Sequence, residues 1–262
     1  MANQTSSASA AQVAAELASA SFEETESLVE RYAEDPRRQV QQACQRALRR
    51  HEKELAERCR VDAMYEAMRS FGGEGLVLGV DEVGRGSVAG PLTVCAVCLP
   101  DEPRIWGIND SKQLSAAKRE MLAMRIADVA TAIGICHISP ARIDEAGMGR
   151  ALREAVARAV ADTGVAPDCV LMDGNPLGAV ACEKNVVKGD ATVACIAAAS
   201  IVAKVTRDEL MVELDAEYPE YHFAQSKGYA SAEHIQAIKE RGLSPVHRVS
   251  ICGNFLETAR LF

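Results

Sequence analysis

The stretch Leu76–Gly86, LVLGVDEVGRG, constrains this chain more than any other. An apolar run of strand-forming residues ends in two adjacent carboxylates, Asp81 and Glu82, and a glycine-flanked arginine, Gly84-Arg85-Gly86, follows directly. A strand that delivers acid at its end, before a loop whose backbone can approach a ligand closely, suits a site for metal and phosphate. Alone, the Asp-Glu pair reads first as a solvated strand end before a turn. The rest of the chain must decide.

A chain of 262 residues suffices for one large domain, or for one domain with a helical appendage. The net charge of -8 is not the basic signature of a nucleic-acid binder. It counts weakly against such a partner, because a carboxylate-built metal site is itself acidic. MANQTSSASAAQ has neither the basic nor the apolar segment of a targeting signal. The longest apolar run, Val193–Ala203, falls well short of the ~20 residues a membrane span needs. The nine cysteines are odd in number and scattered, which fits a reducing cytoplasm. Cys95 and Cys98 sit three apart in an apparent strand, face opposite sides, and read as small core residues.

Met1 to about Ser21 is rich in Ala and Ser, lacks large apolar residues, and is expected to be disordered or frayed. Asp35-Pro36 gives a helix start, with Asp as N-cap and Pro at the first helical position. Val40, Cys44, Ala47, Leu48, Leu55, Cys59 and Met64 then recur at spacings near three and four up to Met68. Arg46, Arg49, Arg50, Lys53 and Glu57 make up the other side. The apolar stripe packs against protein, or the helix is an arm facing nucleic acid; the sequence leaves both open. Phe71–Gly75 reads as a linker, so residues 1–74 form an extension and 75–262 the main domain.

Beyond it, Leu76–Val83, Leu92–Leu99, Ala132–Ile138 and Cys169–Met172 read as strands. Ser115 to about Ala130, Met148–Thr163, Ala191–Glu217 and Ser231–Arg241 read as helices, with Met121, Leu122, Ile126 and Val129 on one face of the first. This order predicts an α/β fold, a mixed sheet flanked by helices.

Asp173 repeats the opening pattern: apolar VLM, a carboxylate, then Gly174. Two strands each delivering an acid to one sheet edge meet the needs of a divalent cation. Asp190 opens the long helix, either as its N-cap or as a third ligand, roles that are compatible. Mg²⁺ and Mn²⁺ want oxygen ligands and keep several waters, and no His- or Cys-rich zinc spacing is present. Crowded carboxylates repel and raise one another's pKa without a cation, so such a cluster suits catalysis better than stability.

Five blocks now make a family resemblance plain. GVDEVGRGSVAGP (Gly79–Pro91), INDSKQLS (Ile108–Ser115), LMDG (Leu171–Gly174), VKGDATVACIAAASIVAKVTRD (Val187–Asp208) and KGYASAEH with PVHRVS occur in order and span nearly all of Leu76–Ile251. Together they resemble ribonuclease HII, the type 2 ribonuclease H family, which cleaves RNA in RNA–DNA hybrids.

The resemblance implies a ribonuclease-H-like fold, Mn²⁺ or Mg²⁺ as cofactor, and four acidic catalytic positions at Asp81, Glu82, Asp173 and Asp190. It places the substrate-reading loop at Gly84, Arg85 and Gly86 and a substrate-facing tyrosine at Tyr229. Lys112 is a candidate phosphate contact or a solvated surface lysine. Glu82 neighbours Asp81 on a strand, so it lies past the strand end or acts indirectly. The implied partners are RNA/DNA hybrid and duplex DNA containing ribonucleotides, read through the 2′-OH by a monomeric enzyme that removes ribonucleotides from DNA. A partner on the replication machinery is not legible.

Two departures stand out: Gly-Ser-Val-Ala-Gly replaces a more usual proline-leucine pairing, and Ser226 stands where a histidine is often found. Ribonuclease HIII-like activity is the nearest alternative, although that family generally has lysine where Arg85 stands. A non-catalytic hybrid-binding module is the other, and the complete acid set speaks against it.

Overall fold

The computed structural model describes residues 8–257, with side chains to Gly253, and divides into two compact units after Asp62. In the first, α1 (Ala10–Ser19) and α2 (Phe22–Arg31) open on capping boxes. Ser9 with Gln12, and Ser21 with Glu24, satisfy each other's first-turn amides. The expected disorder up to Ser21 is therefore corrected from Ala8 onward, while residues 1–7 lie outside the described residues. Ser9 and Ser21 in this Ala- and Ser-rich stretch are helix caps.

The third helix, α3 (Arg38–Gly72), starts later and ends later than its sequence signals suggest. Asp35 is not its N-cap, because its carboxylate is taken up by the Arg37 guanidinium and main chain. The Arg37 carbonyl instead accepts the first helical bonds, from Val40 and Gln41. At the other end Phe71 and Gly72 are helical, and Gly73, at φ +87°, closes the last turn onto Arg69.

Val13, Leu17, Leu28, Val40, Cys44 and Ala47 form the core of the first unit. Arg50 donates to the carbonyls of Leu17, Ala18 and Ala20, so part of the basic side of α3 is spent on structure. Leu48, Leu55 and Cys59, expected on the apolar stripe, are exposed.

The second unit is built on β1 (Val77–Val83) and β2 (Leu92–Cys98), an antiparallel pair joined across the glycine loop. Next come α4 (Ala116–Val129), capped by Ser115, and β3 (Ala132–Ile138), antiparallel to β2. Leu122 and Ile126 of α4 are buried, whereas Met121 is exposed. After α5 (Pro140–Ala146) and α6 (Met148–Asp162), the strands β4 (Cys169–Asp173) and β5 (Glu183–Val186) extend the sheet in parallel. Among the described residues the sheet is mixed and five-stranded, in the order β3-β2-β1-β4-β5. The fold class is thus the expected one.

Leu78, Val80, Val94, Val170 and Met172 face α6 and form one apolar layer with it. The expected helix Ala191–Glu217 is in fact two, α7 (Gly189–Thr192) and α8 (Ala194–Glu217), broken at Val193. Val193 adopts an extended backbone, which β-branched residues tolerate well. The alanine-rich start of α8 lies very close to β1. A Cβ on Gly79 would stand 2.1 Å from the Cys195 carbonyl carbon. The remaining elements are α9 (Phe223–Ser226), α10 (Ala232–Arg241), capped by Ser231 and closed at Gly242, and α11 (Val249–Glu257). Among the described residues no helix is long and apolar enough to cross a membrane.

Candidate active site

Parallel pairing of β1 with β4 builds the centre of the site. Val80 lies opposite Met172, so one step further Asp81 and Asp173 stand side by side, where β4 ends and β1 runs on to Val83 along β2. Alternation puts Leu78 and Val80 on the α6 side, which leaves Gly79 and Asp81 on the side of α8. Asp81 is buried there, accepts from the Glu82 main chain at 2.8 Å and is hydrogen-bonded by the Ser200 hydroxyl of α8. Ser200 in turn meets Ser111 at 2.9 Å, which links the strand acid to the DSK segment.

Asp173 organises the third acid. Its Oδ1 accepts from the Gly189 N–H at 2.7 Å and thereby holds the turn that presents Asp190. Lys188, in the left-handed region at φ 57°, precedes that turn. Asp190 is therefore not the N-cap of a long helix; it sits inside α7 with its carboxylate free to face Lys112, whose Nζ is 3.4 Å away. Asp110 lies 3.9 Å from the same ammonium.

The electrostatics agree with this convergence. Burial pushes the Asp81 carboxyl up to about 7, and the charges of Glu82 and Asp173 add to the rise. Glu82 and Asp190 are raised by the same causes, burial first, with Arg85 and Lys112 opposing. Lys112 is partly desolvated, which alone would lower it, but Asp110, Asp190 and Asp81 outweigh this and raise it. As they stand, no three His, Cys, Asp or Glu side chains among the described residues form a group that would hold a metal ion. The donor chemistry nonetheless fits a hard divalent cation. The carboxylates destabilise one another, and such ions accept one or two carboxylates and complete their shell with water and substrate phosphate.

A second wall faces this acid cluster. Gly84, at φ +88°, has no room for a side chain: a Cβ would stand 2.2 Å from Arg207 Nε. Gly86 opens to free space. Arg85 projects outward and reaches Glu82 at 3.4 Å.

Two buried arginines fix the loop from behind. Arg207 donates to the carbonyls of Pro91, Ala89 and Lys227 and to the Ser87 hydroxyl, and Arg248 donates to the carbonyls of Gly90 and Arg85. Gly228 O accepts from Val88 and Ala89, so the segment carrying Tyr229 is docked on the same loop. The half-exposed Tyr229 ring lies 5.8 Å from the Arg207 guanidinium.

The structure thus gathers Asp81, Glu82, Asp173, Asp190 and Lys112 at one sheet edge, and Gly84–Gly86 with Tyr229 beside them. Ser200, Asp110, Arg207 and Arg248 were missed as partners of these residues. All four lie within the sequence blocks that carry the resemblance, which was their only signal.

Comparison with known proteins gives this geometry a family. The sequence profile described as Ribonuclease HII matches residues 78–253. The chain belongs to the ribonuclease HII family. A second profile, Ribonuclease HII N-terminal domain, matches residues 9–71. Ribonuclease HII of Lachnoclostridium phytofermentans is 46% identical over 86% of this chain and 89% of its own. The ribonuclease H2 crystal structure from Pyrococcus horikoshii superposes with TM-score 0.60 at 27% identity, covering 71% of this chain and 99% of that one. Bst-RNase HIII in complex with Mn²⁺ shares the fold at 20% identity and TM-score 0.58, over 74% of this chain and 73% of that one. The chain is accordingly a hydrolase that acts as a ribonuclease H.

Proposed function

We propose that this member of the ribonuclease HII family is a divalent-metal-dependent endonuclease. It would hydrolyse the phosphodiester on the 5′ side of a ribonucleotide, in RNA/DNA hybrid or as a single ribonucleotide in duplex DNA, leaving 3′-hydroxyl and 5′-phosphate ends. The observation that carries this reading is the side-by-side placement of Asp81 and Asp173, with Asp190 held by Asp173 and the glycine loop adjacent. Residues 75–262 would be the catalytic domain and 1–74 an appendage.

Asp81, Asp173 and Asp190 would hold the Mn²⁺ or Mg²⁺, and Glu82, which lies within β1 opposite Val94, would be a further ligand or act indirectly. When bound, the ions would supply charge for the reacting phosphate and a more acidic water as nucleophile. The chain's own residues do the rest. The main chain at Gly84–Gly86 approaches the ribose, where a 2′-OH can accept and donate hydrogen bonds. Arg85 and Lys112 offer positive charge to flanking phosphates, and the Tyr229 ring can stack on a sugar or base.

The test is removal and return of metal. Cleavage should stop in EDTA and resume with Mn²⁺ or Mg²⁺. Unchanged cleavage in EDTA would overturn the reading.

A further inference from the structure

The most fully determined polar feature outside the acid cluster lies behind Tyr229. His234 of α10 and His247 are buried, 0% and 2% exposed, and pack edge-on against Tyr221 and Phe223. Their Nε2 atoms are 3.0 Å apart. The main-chain N–H of Ser244 points at His247 Nδ1, at 2.9 Å. An amide N–H can only donate, so that nitrogen accepts and His247 carries its proton on Nε2. It follows that His247 Nε2–H donates to His234 Nε2, and that His234 carries its proton on Nδ1. That proton has one destination, the Tyr229 carbonyl at 2.8 Å, and a carbonyl can only accept. Both ends of the chain demand the same direction, and the Ser244 hydroxyl, 2.8 Å from His247 Nδ1, donates to that nitrogen beside the amide.

We propose that His234 and His247 are positioning residues: a one-way hydrogen-bond relay from Ser244 to the Tyr229 carbonyl that sets where the Tyr229 ring meets the ribonucleotide. This rests on Tyr229 contacting substrate, as proposed above. The Tyr229 carbonyl also accepts from Ser231, so two donors pin it. The far end of the relay is anchored on the reading loop itself. Ala89 bridges to His247, Gly90 donates to Val246 and Arg248 donates to Val88.

One relay thus gauges the spacing between the glycine loop and the tyrosine. Both imidazoles must be neutral to conduct it. Burial lowers both, and the neighbouring charges of His222 and His234 act in the same direction. A proton added to His234 Nε2 or His247 Nδ1 would put two donors face to face.

Two measurements test this. Long-range ¹H–¹⁵N spectra of the full chain at neutral pH should show His234 as the Nδ1–H tautomer and His247 as the Nε2–H tautomer. Identical tautomers, or a charged ring, would overturn the relay without any mutation.

Kinetics on a duplex with one ribonucleotide then separate the relay from the reading beneath it. His234→Leu should lower kcat/KM by ~10–100-fold, chiefly through KM. His234→Asn, whose amide nitrogen can replace Nδ1, should recover most of it. On a Tyr229→Ala background, His234→Leu should cost nothing further. If Tyr229→Ala is impaired but folded His234→Leu matches wild type, the relay fails and the Tyr229 reading stands. If Tyr229→Ala itself matches wild type, the Tyr229 reading fails and takes the relay with it.

Discussion

Asp173 accepts the Gly189 N–H at 2.7 Å, so the carboxylate at the end of β4 holds the turn that carries Asp190. One acid is thereby both a candidate ligand and the support of another. A substitution that keeps the acceptor and removes the charge separates the two roles.

Asp173→Asn should reduce cleavage to background while leaving the metal-free fold as stable or slightly more so, because it relieves repulsion with Glu82 and Asp190. Asp173→Ala loses the Gly189 bond as well and should cost ~1–2 kcal/mol. Thermal melts without metal check both. A large loss in the Asn variant would make Asp173 structural.

The Asp81 carboxyl, pushed up to about 7 by burial and by its acidic neighbours, links metal to pH. Its folded pKa lies above the ordinary 3.8, so between those values the metal-free fold binds more protons than the unfolded chain. Stability from this group is full at low pH and is lost as pH rises through about 7. A cation offsets the loss. The rise in melting temperature on adding Mn²⁺ should therefore be small at low pH and grow through neutrality, and Asp81→Asn should abolish that growth. A metal effect independent of pH would contradict this account.

Arg207 is fully buried and bonded to three carbonyls and a hydroxyl, with no carboxylate among these acceptors. Arg207→Met should destabilise the domain by ~3–5 kcal/mol, measured by denaturant unfolding, since it leaves several buried acceptors unpaired at once. Arg207→Lys should recover little, because an ammonium cannot reproduce the fork. A loss under about 1 kcal/mol would show that water replaces these bonds.

What the sequence revealed and what it hid have physical reasons. The strands β1, β2 and β4 were legible as unbroken buried runs, and the helices α4, α6 and α10 because each buries one face whose period the chain must write out. The strand β5, EKNV, was not: it lies at the sheet edge, pairs on one side only, and carries no apolar alternation. The break at Val193 falls at the β-branched pair Thr192-Val193, a weak helix signal masked by the alanine-rich run that follows. Asp81, Asp173 and Asp190 could be found because Asp81 and Asp173 each follow an apolar run, and Asp173 and Asp190 each adjoin a glycine. Arg207, in contrast, reads as an ordinary polar residue of a long helix, since no local pattern marks a guanidinium that binds loops far away in sequence.

The central claim is a site that reads one ribonucleotide and cuts beside it. Cleavage-site mapping on duplex DNA containing a single ribonucleotide, with divalent metal present, tests it most directly. A single cut 5′ to the ribonucleotide, leaving 3′-hydroxyl and 5′-phosphate ends, is the predicted result. A cut elsewhere, or a 2′,3′-cyclic phosphate end, would contradict it.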